Sequence, residues 1–165
     1  MGKKATKAAG NMFYNARQEA MEKDEKFSSR ESASDILHIE RTRLANIELG
    51  NITPYPEEVK CMAKAYNTPE LCNYYCANEC PIGIGTVTEV KMDNFDRLSL
   101  QVLGSLKNID SIKQTLIDIS EDGVISVDEE DAFNDIIEAF EKIATSANAL
   151  RLWAEKNMIV KGSEE

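Results

Sequence analysis

Beyond residue 90 the apolar residues of this 165-residue chain fall on a seven-residue grid, and such a grid calls for long helices. Phe95, Val102, Ile109 and Leu116 repeat at that spacing, interleaved with Leu98, Ser105, Ile112 and Ile119. After a turn at Glu121-Asp122-Gly123, Phe133, Phe140, Ala147 and Ala154 repeat likewise, interleaved with Ile136, Ile143 and Leu150. The pattern predicts two helices joined by a short turn, an antiparallel helical hairpin over 93–160. Leu106, Ile117, Ile137 and Trp153 lie beside that seam and widen the apolar stripe beyond what two helices can cover. Another copy or the first domain is the expected cover, and a homodimer through the hairpin is the favoured expectation.

The first half keeps a different rhythm. Lys3, Lys4 and Lys7 sit in a small-residue stretch, read as a flexible basic arm over 1–10. A helical pattern covers Phe13 to Met21, and the charged run Glu22 to Lys26 interrupts it. Ser28 with Glu31 reads as a capping box that opens a helix through Leu37. A second short helix fits Arg41 to Leu49, with Leu44 and Ile47 inward and Gly50 where positive φ is tolerated. Pro54-Tyr55-Pro56 forces an extended turn before a helix from about Glu57 to Tyr66. One more helix runs from Glu70 to about Asn78, and Pro81 ends it. The reading is all-α: a domain over 11–80, a linker over 81–92 and the hairpin.

Charge separates the same halves. Residues 1–80 carry 11 Lys and Arg against 12 Asp and Glu, whereas 81–165 carry 8 against 17. The net charge of −10 therefore sits almost wholly in the second half, and the first half can still meet DNA if its basic side chains share a face. No apolar run approaches the roughly 18 residues of a membrane span, and Met1 to Gly10 lacks a signal-peptide core. A cytoplasmic protein is expected, with its four cysteines as thiols or metal ligands rather than disulfides.

The tight connection Leu37-His38-Ile39-Glu40 between two short helices has the spacing of a helix-turn-helix, whose second helix enters the DNA major groove. Its outward positions are Arg41, Thr42, Arg43, Ala45 and Asn46. Arginine pairs bidentately with guanine and Asn with adenine, so these side chains suit base reading.

The run from Ser28 to Leu37, then His38 to Gly50, then Pro54 to Tyr66 resembles the lambda-repressor/Cro-like (Xre-type) helix-turn-helix family over roughly residues 12–80. The resemblance implies a five-helix domain that binds double-stranded operator DNA as a dimer on a palindrome. His38 is the only histidine and no phosphate-cradling glycine loop occurs, so no enzymatic activity and no cofactor are expected. Carried onto this chain, the readers are Arg41, Thr42 and Asn46, with Arg43 beside them, and Ser29 and Arg30 approach phosphate at a helix start. Glu48 corresponds to the family's buried acid, with Arg17 its partner. Three residues depart from the pattern. Ser34 replaces an alanine at the helix crossing, His38 replaces the turn glycine, and Glu40 stands where Ser or Thr usually caps the reading helix.

Two other constellations admit a metal-binding reading. Asp118 to Glu129 fits the EF-hand calcium template, but Gly123 is also a natural helix stop and Ser126 with Glu129 a capping box. Cys72, Cys76 and Cys80 share one helical face, and Cys61 precedes them; core packing is favoured there over a tetrahedral zinc site. The expectation is a bacterial or mobile-element transcriptional regulator, a repressor that controls its own gene. The alternative is a protein-interaction module or phage-type inhibitor whose acidic hairpin binds a basic protein partner.

Overall fold

The computed structural model describes residues 7–120 and 123–158. Among them every regular element is helical, and no strand occurs. The chain divides into two compact units, Met1–Glu89 and Val90–Glu165. The first holds α1 (Met12–Lys23), α2 (Arg30–Leu37), α3 (Arg41–Glu48), α4 (Pro56–Ala65) and α5 (Glu70–Asn78). The second holds α6 (Phe95–Ser105), α7 (Ile109–Ile119) and α8 (Glu130–Asn157).

In the first unit local chemistry sets each boundary. Asn11 caps α1 by accepting the Tyr14 N–H at 3.1 Å, which satisfies one of the orphan donors of the first turn. The charged break after α1 is a 3-10 turn, Glu25–Phe27, that buries the Phe27 ring edge-on to Tyr66. Ser29, rather than Ser28, caps α2: its Oγ accepts the Ser32 N–H at 3.1 Å, while Ser28 already has helical dihedrals in the preceding turn. Glu31 consequently lies one position too early to complete a capping box. His38 ends α2 at φ 54°, in the left-handed region that its missing glycine would have occupied more cheaply. Ser34 is buried at the crossing, and its hydroxyl donates to the Glu31 carbonyl at 2.7 Å instead of facing apolar neighbours unpaired.

These helices close over one apolar core of Phe13, Ala33, Leu37, Leu44, Ile47, Val59, Met62 and Leu71. Each large side chain buried this way contributes about 1.5–3 kcal/mol of transfer free energy. The core includes the inward pair of α3, so the outer face of α3 is fixed in place by what lies beneath it.

Two stretches differ from the sequence reading. In the stretch read as a flexible basic arm over 1–10, Lys7–Gly10 forms a 3-10 turn with Ala8 buried, while Lys3 and Lys4 lie outside the described residues. The segment read as the start of a linker instead belongs to the first unit. Its amides bond back in successive turns, from Gly83 and Ile84 to the Cys80 carbonyl, and Asn73 and Asn78 of α5 hold Thr88 and Glu89. Gly83 makes this possible, because a Cβ there would sit 2.0 Å from the Cys76 carbonyl oxygen. The boundary therefore falls after Glu89, and Val90 and Met92 already pack in the second unit's core.

Among its described residues the second unit has three helices where the heptad pattern predicts two. The chain leaves α6 through tight turns, with Lys107 N bonding Gly104 O and Ile109 N bonding Leu106 O, before α7 begins. Gly104 weakens the helix at that point, and Asn108 starts the next one. Phe95 meets Trp153 with ring centroids 4.9 Å apart, and Leu98 is buried with Ala149 and Leu152. At the other end Gly104, Ser105 and Asn108 share a cleft with Asp135, Glu138 and Lys142, so α6 and α8 run in opposite directions. The connection after α7 contains Glu121 and Asp122, outside the described residues, so the calcium-loop geometry is likewise outside them. Glu129 there accepts from both N and Oγ of Ser126, at 2.9 and 2.6 Å.

Candidate functional site

The outer face of α3 is built from its cap upward. Glu40 is the N-cap, and its two carboxylate oxygens accept the Thr42 N–H at 2.9 Å and the Arg43 N–H at 2.8 Å. Those two backbone bonds, Thr42 first, hold the Glu40 carboxyl below its ordinary pKa. The carboxylate thus takes the capping place of a Ser or Thr, with its negative charge at the favourable N-terminal end of the helix dipole. Leu44 and Ile47 are 0% and 1% exposed and anchor the helix from below. Arg41 and Thr42 are exposed, and Asn46 is half-buried one turn on from Thr42.

Arg43 is the exception on this face. Its guanidinium donates to Glu58 through Nε at 2.5 Å and Nη2 at 2.9 Å, and it lies 4.1 Å over the Tyr55 ring centroid. The Glu58 hydrogen bonds raise the Arg43 pKa further. For Glu58, burial pushes the carboxyl up, yet the bonds from Arg43 and from the Tyr55 N–H outweigh it and the net shift is downward. Arg43 therefore ties α3 to the start of α4, and its donor fork faces a carboxylate of its own chain. Sequence reasoning grouped it with the readers because helical position alone sets Arg43 beside Thr42.

Arg30 and Ser29 also have partners inside the chain. Glu48 is fully buried, and Arg17 grips it bidentately, Nε to Oε1 at 2.5 Å and Nη2 to Oε2 at 3.0 Å. Arg30 adds its Nε to Oε2 at 2.6 Å, with a third of its side chain still exposed. Arg17 also donates to the Phe27 carbonyl at 2.9 Å. One carboxylate thereby joins α1, α2 and α3. Ser29 Oγ is the cap of α2, within 2.9 Å of Ser32 Oγ, so its exposed hydroxyl already serves the helix.

Three contributors escaped the sequence reading. Glu58 carried a signal, an acid three residues after the Tyr55 cap position. Lys7 and Asn51 carried none: Lys7 Nζ donates to Asn51 Oδ1 at 2.8 Å, and Asn51 Nδ2 donates to Asn46 Oδ1 at 3.1 Å.

The four cysteines form no disulfide. Cys61 is exposed, whereas Cys72, Cys76 and Cys80 are half-buried, packed against the first unit's core. Among the described residues no group of three His, Cys, Asp or Glu side chains has a metal-holding arrangement, and no helix is long and apolar enough to cross a membrane. Comparison of the chain with known protein families, with curated proteins and with solved structures gives no match.

Proposed function

We propose that this chain is a sequence-specific DNA-binding transcriptional regulator of the lambda-repressor/Cro-like helix-turn-helix type, a repressor that acts on its own gene. The observation that carries this reading is the contrast on α3. Arg41 and Thr42 stand exposed on a helix whose cap and inward residues are all internally satisfied, with Asn46 one turn further on. An Arg, a Thr and an Asn on one face form a base-reading set for the major groove.

The second unit supplies the dimer contact. Leu100 and Leu103 on α6, Ile117 on α7, and Ile137 and Phe140 on α8 are all at least two-fifths exposed. So many large apolar side chains at the surface of so small a unit favour a second copy as their cover. The chief competitor, a docking face for a basic protein, is favoured by one feature of the same unit. From Asp118 to Glu141 the chain carries ten acids and no Lys or Arg.

The test is a mobility shift with DNA from upstream of the protein's own coding sequence, read against a scrambled duplex of equal length. Retarded binding that survives excess scrambled competitor is expected. Equal competition by both duplexes, together with tight binding to a basic protein, would transfer the reading to the protein-interaction class.

A further inference from the structure

Asn46 stands at the end of a hydrogen-bond chain whose polarity is set by a lysine. An ammonium has three donors and no acceptor, so the Asn51 carboxamide must turn its oxygen to Lys7. Its amide group then faces Asn46, which must answer with Oδ1. Among the described residues, the group of Asn46 left without a partner is its amide nitrogen, with two N–H donors.

Backbone contacts anchor each member. Lys7 opens the 3-10 turn whose Ala8 is buried, and Asn11, just beyond, donates from Nδ2 to the Ile47 carbonyl of α3 at 2.9 Å. Asn51 follows the positive-φ Gly50, and its own N–H bonds the Asn46 carbonyl at 2.9 Å. The relay therefore spans the N-terminal turn, the end of α3 and its middle.

We propose that Lys7 and Asn51 are positioning residues that set the base preference of Asn46. This rests on the DNA-reading role of α3. An unrestrained Asn clamps adenine by donating to N7 while accepting from N6. With one lone pair of Oδ1 taken by Asn51, Asn46 presents two free N–H donors beside an oxygen that is already engaged. It favours the acceptor pair N7 and O6 of guanine, because an adenine N6 amine at that position has to share the oxygen with Asn51.

The experiment uses the full chain and a duplex pool randomised over the site. The position read by Asn46 is identified as the one whose preference vanishes in Asn46→Ala. Binding is then compared for guanine, adenine and 7-deazaguanine at that position. The wild type should prefer guanine to adenine by about tenfold and lose part of that on 7-deazaguanine. Asn51→Leu and Lys7→Met should bring the ratio to parity or below, and Lys7→Arg, also a pure donor, should keep it. A merely structural role for these residues would lower affinity for all three duplexes alike and leave the ratio intact. An unchanged ratio in both Asn51→Leu and Lys7→Met, or a wild-type preference for adenine, would overturn the relay while leaving the DNA reading standing. A wild type that selects no sequence at all would overturn both.

Discussion

Arg43 holds its guanidinium 4.1 Å above the ring centroid of Tyr55, and that contact decides what the first turn of α3 can offer a partner. Stacked on an aromatic face and forked onto Glu58, the side chain has one guanidinium face and two of its five N–H donors engaged within the unit. On the proposed DNA-reading role, the base-reading set is thereby narrowed to Arg41, Thr42 and Asn46.

It follows that Arg43→Ala should leave base preference unchanged. Affinity should fall by no more than about threefold on any duplex, a shift well under that of a lost base contact. Parallel binding-site selections with wild type and variant check this. Loss of preference at one base pair would return Arg43 to the readers.

Glu48→Ala should be among the most damaging single changes in the first unit. Removing the carboxylate leaves Arg17, with a side chain 5% exposed, as a buried charge without its partner. The cost of breaking such a pair is about 3–5 kcal/mol. Thermal unfolding should show it as a drop of roughly 4–8 °C per kcal/mol for a unit of this size. Arg30→Ala, which removes a part-exposed contributor, should cost clearly less. A Glu48→Ala loss under about 1 kcal/mol would contradict the assigned role of the network.

Much of this was readable before any coordinates, and the rest was not, for identifiable reasons. The short helices of the first unit follow from caps, glycine and proline, which act within a few residues, and the Arg17–Glu48 pairing followed from resemblance. The exchange of Ser28 for Ser29 as cap shows how little separates neighbouring hydroxyls when a 3-10 turn precedes the helix. The break between α6 and α7 escaped because Leu106 and Ile109 continue the apolar spacing across it. Gly83 passed for a linker residue, since its need to approach the Cys76 carbonyl is a tertiary fact. The Lys7–Asn51–Asn46 chain joins residues 44 positions apart at its longest link, where no local pattern can announce it.

Acid should loosen the first unit through two carboxylates. Glu40 and Glu58 both have folded pKa values below their ordinary 4.5, the first through backbone N–H bonds and the second through Arg43 against the opposing effect of burial. A depressed carboxylate contributes stability that is present above its unfolded pKa and disappears as pH falls through the folded value. Urea midpoints should therefore fall between pH 5 and pH 2, and the fall should be smaller in Glu40→Gln and Glu58→Gln. Identical acid dependence in wild type and both variants would show that neither group carries it.

The second unit should associate. Ile137→Asp with Phe140→Asp places charges on side chains that are already two-fifths exposed, so the unit should stay helical while losing its partner. Sedimentation equilibrium at micromolar concentration should show a dimer for the wild type and a monomer for the double variant, with unchanged far-ultraviolet circular dichroism. A monomeric wild type would remove self-association from the account.

The central claim is that the outer face of α3 reads DNA sequence, and the most direct test is the ratio of affinities for a selected duplex and its scrambled counterpart, measured for wild type and Arg41→Ala by fluorescence anisotropy at fixed salt. The wild type should favour the selected site by about a thousandfold or more. Arg41→Ala should lose about 1–3 kcal/mol on that site and relax preference at one base pair, with a smaller loss on the scrambled duplex. A wild-type ratio near one, or an Arg41→Ala ratio equal to the wild type's, would contradict the claim.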